Sequence, residues 1–217
     1  MNGWTTVKRS TARSSEPGRD PAVGYAVVVV GTSWGGLDAL REIVTALPPD
    51  YDVPMTIVQH RHRDSDAMLA RILQDYTRLR VSEVEDKQPV EAGCVYIAPA
   101  NYHLLVEEGH FSLSTEAPVR YSRPSIDVSM TTAADAYGHR AVGVILTGSN
   151  ADGAMGLRRI ADSGGMTVIQ DPTSAAAPMM PKAAMKAVPA ARVFPLDRIA
   201  KFLGALPSQT VRTQKVE

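Results

Sequence analysis

Short apolar runs alternate with longer amphipathic stretches through most of the chain. The first run, residues 25–30, is apolar at almost every position and lacks the two-residue alternation of a strand with one solvated face. A strand of this kind is buried on both faces, as in a parallel sheet covered by helices. Gly31 is predicted to end it. Apolar residues then recur at helical spacing, at Leu37, Leu40, Ile43, Val44 and Leu47.

The same alternation continues to about residue 206. Further strands are predicted at residues 55–58, 79–84, 94–98, 141–146, 167–169 and 192–194. Two short runs around Glu108-Gly109 predict a β-hairpin at residues 103–106 and 111–114. The pattern is typical of an α/β fold, a single doubly wound, mostly parallel sheet with helices on both faces and the hairpin as an insertion.

Two helices have more specific predictions. The second helix is expected to bury a stripe formed by Met68, Leu69, Ile72 and Leu73. Pro124 is predicted in the first turn of a later helix, where a missing amide donor costs nothing.

The two ends of the chain differ from its body. Residues 1–22 are polar, with basic and hydroxyl side chains but no apolar core for a secretory signal. We expect a disordered N-terminal segment there, with an organellar transit peptide as the minor alternative. Residues 23–206 are expected to form one catalytic domain, and residues 207–217 a flexible tail.

Composition narrows the classes of partner. Lys+Arg and Asp+Glu balance at 23 each, so no global charge attracts nucleic acid or an anionic membrane. No apolar run approaches the ~20 residues of a membrane-spanning helix. The single cysteine, Cys94, excludes an intramolecular disulfide and favours a reducing compartment such as the cytoplasm.

Three reactive side chains follow predicted strands. Ser33 comes after the first strand, His60 after the second, and Asp152 after the strand that ends near Leu146. Ligands of open parallel sheets bind beyond the carboxyl ends of the strands. The sequence therefore predicts a nucleophile, a base and an acid at one edge, with Asp171 and Asp127 as reserve candidates for the acid.

The loop around Ser33 has two interpretations. Gly31-Thr32-Ser33-Trp34-Gly35-Gly36 is similar to a Gly-x-Ser-x-Gly turn, in which the amide after the serine helps to hold an oxyanion. A glycine loop that binds phosphate is the alternative. A dinucleotide site would favour glycine at position 33 and an acid after the second strand, where Gln59-His60 stands.

His60 and Asp152 also have alternative roles. His60 and His62 suggest a metal site, but no nearby ligand pattern completes a first shell. The other histidines, His103, His110 and His139, do not end an interior strand next to Ser33. Asp152, considered alone, is better explained as the N-cap of a helix that begins at Ala154.

Seven segments within about residues 27–203 stand out in order along the chain: Gly31–Gly36, Val58-Gln59-His60, Tyr96–Pro99, Arg123–Asp127, Leu146-Thr147-Gly148, Ala151–Ala154 and Gln170-Asp171. Together they resemble the catalytic domain of the CheB family of chemotaxis protein-glutamate methylesterases. The resemblance implies a triad of Ser33, His60 and Asp152 that hydrolyses glutamate γ-methyl esters on cytoplasmic chemoreceptor helices or a related signalling protein. Deamidation of receptor glutamines is a further implied activity, and no cofactor or metal is implied.

The resemblance also assigns the residues around the triad. Trp34 and Ser149 fall in the loops expected to bind the oxyanion, and Arg123 and Ser125 in a segment expected to bind substrate. The family usually has a small residue at position 34, and Met-Gly where Ser149-Asn150 stands. A weakly active or inactive signalling module is therefore the alternative function. The expectation is a domain without a receiver domain; the oligomeric state is left open.

Overall fold

The computed structural model describes residues 24–65 and 68–208. The segment predicted to be disordered, residues 1–22, and most of the predicted tail lie outside the described residues. Pro207 and Ser208 pair with the body of the protein, because the Tyr25 N–H donates to Pro207 O at 2.8 Å and Tyr25 forms a parallel bridge with Ser208.

Nine strands and six α-helices make up the described chain. The strands are β1 (Val27–Thr32), β2 (Met55–Gln59), β3 (Arg80–Glu83), β4 (Cys94–Ile97), β5 (His103–Glu107), β6 (His110–Ser114), β7 (Ala141–Ile145), β8 (Met166–Gln170) and β9 (Arg192–Phe194). The helices are α1 (Gly36–Ala46), α2 (Met68–Gln74), α3 (Ile126–Tyr137), α4 (Ala154–Asp162), α5 (Met179–Ala187) and α6 (Leu196–Gly204).

Seven strands form one parallel sheet in the order β3-β4-β2-β1-β7-β8-β9. Strands β5 and β6 form the separate antiparallel hairpin, with Leu104 opposite Leu113. The predicted α/β class, the parallel sheet and the hairpin are therefore confirmed. Among the described residues, no helix has the length and apolarity to cross a membrane.

The apolar side chains of β1 divide between two cores. Val28 and Val30 pack with residues of α1, α2 and α6, whereas Val27 and Val29 pack with residues of α3, α4 and α5. All six residues of β1 are buried. Burial on both faces explains why this strand has no polar alternation in the sequence.

The hairpin lies against α3 through polar as well as apolar contacts. The Val106 N–H donates to Thr132 Oγ1 at 2.9 Å, and the Gly109 N–H donates to the Tyr137 hydroxyl at 3.0 Å. Phe111 packs edge-on against Tyr96 of β4, with 4.7 Å between ring centroids. These contacts fix α3, whose N-terminus reaches the site described below.

Three local predictions are wrong. Strand β1 continues through Gly31 to Thr32; a Cβ on Gly31 would lie 2.3 Å from Ile126 Cγ2, so this glycine admits α3 rather than ending the strand. Helix α3 begins at Ile126, two residues after Pro124, which follows a cis peptide bond. The stripe predicted on helix α2 is wrong only in part: Leu73 is buried and Leu69 packs against the core, whereas Met68 is 54% exposed.

Candidate active site

The candidate site lies where the strand order of the sheet reverses. Strand β1 comes first among the described strands. Its neighbours in the sheet are β2 on one side and β7 on the other. Main-chain hydrogen bonds continue the ladder past the strand ends: the His60 N–H donates to Thr32 O at 3.1 Å, and the Ser33 N–H to Thr147 O at 3.0 Å. The segments that carry Ser33, His60 and Asp152 are therefore held side by side.

The imidazole of His60 is held by Asp152. Its Nε2 lies 2.8 Å from Asp152 Oδ2, and the carboxylate is fully buried while the imidazole is 12% exposed. The carboxylate receives four further hydrogen bonds, from Ser125 Oγ (2.9 Å), Ile126 N (2.7 Å), Asp127 N (3.1 Å) and Gly153 N (3.0 Å). Since an ionised carboxylate only accepts hydrogen bonds, the proton lies on His60 Nε2 and the basic lone pair on Nδ1.

Asp152 caps a helix, but a different helix from the one predicted. The N-cap of α4 is Gly153, with φ 89° and no side-chain hydrogen bond. Asp152 instead binds the first amides of α3, at Ile126 and Asp127. Asp127, in turn, accepts the Gly156 N–H of α4 at 2.7 Å through its Oδ1. Asp152, which precedes α4, thus accepts hydrogen bonds from amides at the start of α3. Asp127 of α3 accepts one from an amide at the start of α4.

The two carboxylates have opposite pKa shifts. Burial opposes ionisation of Asp152, but the hydrogen bonds from His60, Ile126 and Asp127 outweigh it and lower the pKa of that carboxyl. Burial raises the pKa of Asp127, and the nearby charge of Asp152 adds to the effect; the Gly156 N–H and Arg120, 3.5 Å away, only partly offset it. Asp152 is therefore the more acidic carboxyl of this pair.

Ser33 stands in a turn set by glycine and glutamine. The left-handed residue is Gly35, with φ 77°, and a Cβ there would lie 2.6 Å from Ala176 Cβ. Gln59 Nε2 donates to Ser33 O and to His60 O, both at 2.9 Å, which ties the two segments together. Among residues 24–65 and 68–208, Ser33 Oγ makes no hydrogen bond.

The amide of Trp34 is the nearest main-chain donor after Ser33. Within the part of the chain that the structure describes, it has no acceptor, and it stands at the entrance to α1. Thr147 Oγ1 fixes this turn by donating to Trp34 O at 2.9 Å and by accepting the Ala177 N–H at 2.8 Å. The indole itself is 72% exposed.

His60 separates two recesses. One, of about 330 Å³, is lined by Ser33, Trp34 and the exposed Ser149, together with Gly35, Gly36, Leu37, Asp38 and Gln59. The other, of about 550 Å³, is lined mainly by basic and polar residues, among them Arg61, Arg63 and Arg123. A substrate side chain in the smaller recess would lie beside Ser33.

The two residues assigned to substrate binding have different positions. Arg123 lines the larger recess, but its guanidinium donates to Asn101 Oδ1 (2.6 Å), Thr115 O (2.7 Å) and Glu116 O (2.9 Å). Ser125 is fully buried and donates to Asp152. Its hydroxyl is therefore available to the acid rather than to a substrate.

Asn150 is the site residue that sequence reasoning missed. Its Nδ2 lies 3.3 Å from His60 Nδ1, and its Oδ1 accepts the Asp152 N–H at 3.1 Å. The available signal was its position two residues before Asp152, in the same loop. Asp171 lies outside this arrangement, where its carboxylate accepts the N–H and hydroxyl of Thr173.

His103 and His62 have different positions relative to the site. His103 is buried in β5, where its Nε2 lies 3.1 Å from Ala117 O and its Nδ1 accepts the Ser125 N–H at 3.3 Å. His62 lies beside Asp64 on the surface. In the described ranges, no three His, Cys, Asp or Glu side chains come together in a group that could hold a metal ion.

Comparison with known proteins agrees with this architecture. The family model for CheB methylesterase matches residues 28–203. A putative protein-glutamate methylesterase/protein-glutamine glutaminase of Leptospira interrogans is 42% identical over 181 residues, which cover 83% of this chain and 94% of that protein. A protein of Anaeromyxobacter dehalogenans with the same two activities in its name is also 42% identical, over 89% of this chain but only 56% of its own length.

The fold has a counterpart among solved structures. The crystal structure of the Thermotoga maritima CheB methylesterase catalytic domain superposes with a TM-score of 0.80 at 32% identity, covering 83% of this chain and 98% of that one. The chain therefore belongs to the CheB methylesterase family of hydrolases.

Proposed function

We propose that this protein hydrolyses γ-methyl esters of glutamate side chains on chemoreceptor-like signalling proteins, with Ser33 as nucleophile, His60 as base and Asp152 as the acid that orients it. The observation that carries the proposal is the 2.8 Å contact between His60 Nε2 and a buried, ionised Asp152. This contact leaves Nδ1 as the basic nitrogen, at the end of the strand next to Ser33.

In the first step, Ser33 Oγ attacks the ester carbonyl carbon and its proton passes to His60 Nδ1. The imidazolium that forms is stabilised by Asp152, which stays ionised. The Trp34 N–H is the proposed donor to the oxyanion, with the Ser149 loop opposite it, and each such donor is worth ~3 kcal/mol of barrier lowering.

Acylation is completed when the proton on Nδ1 passes to the methoxy oxygen and methanol leaves. Water then attacks the glutamyl ester of Ser33 and gives a proton to His60, and the imidazolium returns it to Ser33 Oγ. The products are methanol, a glutamate carboxylate and free enzyme. Every proton is moved by groups of this chain.

Glutamine deamidation is the second proposed activity. Relatives of this chain carry protein-glutamine glutaminase in their names alongside methylesterase. The same steps hydrolyse a side-chain amide, with ammonia as the leaving group in place of methanol. We also propose a cytoplasmic location, in keeping with Cys94 as an unpaired thiol.

The direct test uses a receptor cytoplasmic fragment that carries radiolabelled methyl esters. Wild-type protein is expected to release labelled methanol, Ser33→Ala to release none above background, and Ser163→Ala, at the end of α4, to match wild type. Equal release by wild type and Ser33→Ala would contradict the proposal. If neither releases methanol although the fragment binds, the protein is an inactive signalling module.

A further inference from the structure

Asn150, His60 and Asp152 form a closed ring of hydrogen bonds. His60 Nε2 donates to Asp152 Oδ2 at 2.8 Å, the Asp152 N–H donates to Asn150 Oδ1 at 3.1 Å, and Asn150 Nδ2 lies 3.3 Å from His60 Nδ1. The ring includes both nitrogens of the imidazole. Nδ1, the nitrogen left for Ser33, is therefore already occupied.

The orientation of the Asn150 amide follows from its neighbours. The Asp152 main chain offers an N–H, which needs an acceptor and therefore faces Oδ1. Turning the amide over would bring its NH2 group against this N–H. The NH2 group is consequently directed at the lone pair of His60 Nδ1, where it acts as donor.

We propose that Asn150 is a positioning residue that holds His60 in a resting state, and that its amide must leave Nδ1 before Ser33 can transfer its proton there. The inference deepens the proposed function and rests on it. Ser33 Oγ and Asn150 Nδ2 are both donors and compete for one lone pair. Accordingly, Ser33 Oγ makes no hydrogen bond within the described residues.

The imidazolium form sharpens this competition. Once Nδ1 has accepted a proton it becomes a donor, and the Asn150 NH2 group then faces it as a second donor. The amide must rotate away or turn over, and turning over breaks its bond with the Asp152 N–H. A glycine at position 150 would impose neither requirement.

Other charged groups near His60 do not replace Asn150 in this role. Asp152 is bound to the opposite nitrogen, and Arg61 pairs with Glu83. The remaining titratable or charged groups that line the two recesses are Asp38, His62, Arg63, Tyr121 and Arg123. None of them forms a hydrogen bond or ion pair with the His60 ring in the described structure.

Two substitutions separate the donor of Asn150 from its acceptor. Asn150→Ala removes both, whereas Asn150→Asp keeps an acceptor for the Asp152 N–H and replaces the NH2 donor with a carboxylate oxygen. The readout is the pH profile of Ser33 acylation by p-nitrophenyl acetate, which requires no receptor. We expect Asn150→Ala to acylate roughly two- to tenfold faster at the plateau, as loss of one competing hydrogen bond implies.

Asn150→Asp is expected to move the acidic limb of the profile to higher pH, because a carboxylate beside Nδ1 favours the imidazolium. If both variants acylate more slowly by the same factor and the acidic limb of the pH profile stays at the same pH, Asn150 only supports the loop. That result would overturn the inference. So would unchanged rates and profiles in both.

A structural readout is independent of catalysis. In 15N-labelled wild-type protein, one Asn150 amide proton is expected to exchange slowly and to correlate with His60 Nδ1. Absence of this correlation in a protein that demethylates receptors would refute the resting state alone. Its presence in a protein that releases no methanol would refute the proposed function alone.

Discussion

The carboxylate of Asp152 lies 2.7 Å from the main-chain nitrogen of Ile126, so the proposed acid is also the cap of α3. The same oxygen, Oδ2, receives His60 Nε2. Helix stability and imidazole orientation therefore depend on one carboxylate, and changes at this position are expected to affect both.

Asp152→Asn is expected to lower the free energy of unfolding by about 2–5 kcal/mol, because an amide NH2 group would face donors that now bind a carboxylate. The esterase rate is expected to fall on the order of 10³–10⁴-fold, because the imidazole loses its orienting acceptor. Urea unfolding and methanol release measure the two effects. Asp162→Asn, at an exposed ion pair with Arg158, is the control and should change stability by less than about 0.5 kcal/mol.

Ser125→Ala tests whether Ser125 acts on substrate or on the acid. Its buried hydroxyl donates to Asp152, so we expect ~1–2 kcal/mol of destabilisation and a lower kcat with an unchanged KM. A raised KM with normal kcat would restore its role in substrate binding.

Gly35→Ala and Gly109→Ala form a matched pair, because both glycines have φ 77°. A Cβ at Gly109 meets nothing within 4 Å, so only the backbone cost of about 1–2 kcal/mol is expected. A Cβ at Gly35 lies 2.6 Å from Ala176 Cβ. Gly35→Ala should therefore destabilise more and displace the Ser33 turn, lowering kcat at least about tenfold. Equal stability and full activity in both variants would contradict the steric argument.

Asp127→Asn tests whether burial raises the pKa of the Asp127 carboxyl. A group whose pKa is higher in the folded protein contributes stability below its unfolded pKa and loses it as the pH rises through the folded value. The stability of wild type relative to Asp127→Asn should therefore be greatest in acid and decline towards neutral pH. Thermal unfolding of both proteins between about pH 4 and 8 measures this difference. A relative stability that increases with pH would contradict the burial of Asp127 as the dominant effect.

Trp34→Ala addresses the indole beside Ser33. Because the side chain is 72% exposed, its loss should change the unfolding free energy by less than about 0.5 kcal/mol. The KM for methylated receptor should increase, because Trp34 lines the recess beside Ser33. The kcat should change little, because the proposed oxyanion donor is the main-chain N–H. A large loss of stability would show that the ring packs against the protein.

Much of this arrangement follows from local patterns in the chain. The run of β1, which is apolar at almost every position, predicted a strand buried on both faces. The reactive residues directly after the predicted strands indicated the sheet edge that carries Ser33, His60 and Asp152. Strand ends in a parallel sheet converge by geometry, so this inference needs no knowledge of side-chain contacts.

Contacts between distant segments could not be predicted in this way. The pattern around Asp152 has the form of a local N-cap, and only the packing of α3 against α4 shows that it caps the other helix. Asp127 and Ser125 have the same difficulty, since their partners are 29 and 27 residues away. The role of Asn150 depends on the orientation of its side-chain amide, which no pattern in the sequence indicates.

The hydrogen bonds of Asp152 to α3 and of Asp127 to α4 form only when these two helices dock. This affects when the protein becomes active during folding. A chain in which the sheet has formed but these helices have not docked would have Ser33 and His60 at neighbouring strand ends and no seated acid. Ester hydrolysis then becomes an assay of folding: during refolding, its recovery should coincide with the last tertiary contacts rather than with the return of secondary structure.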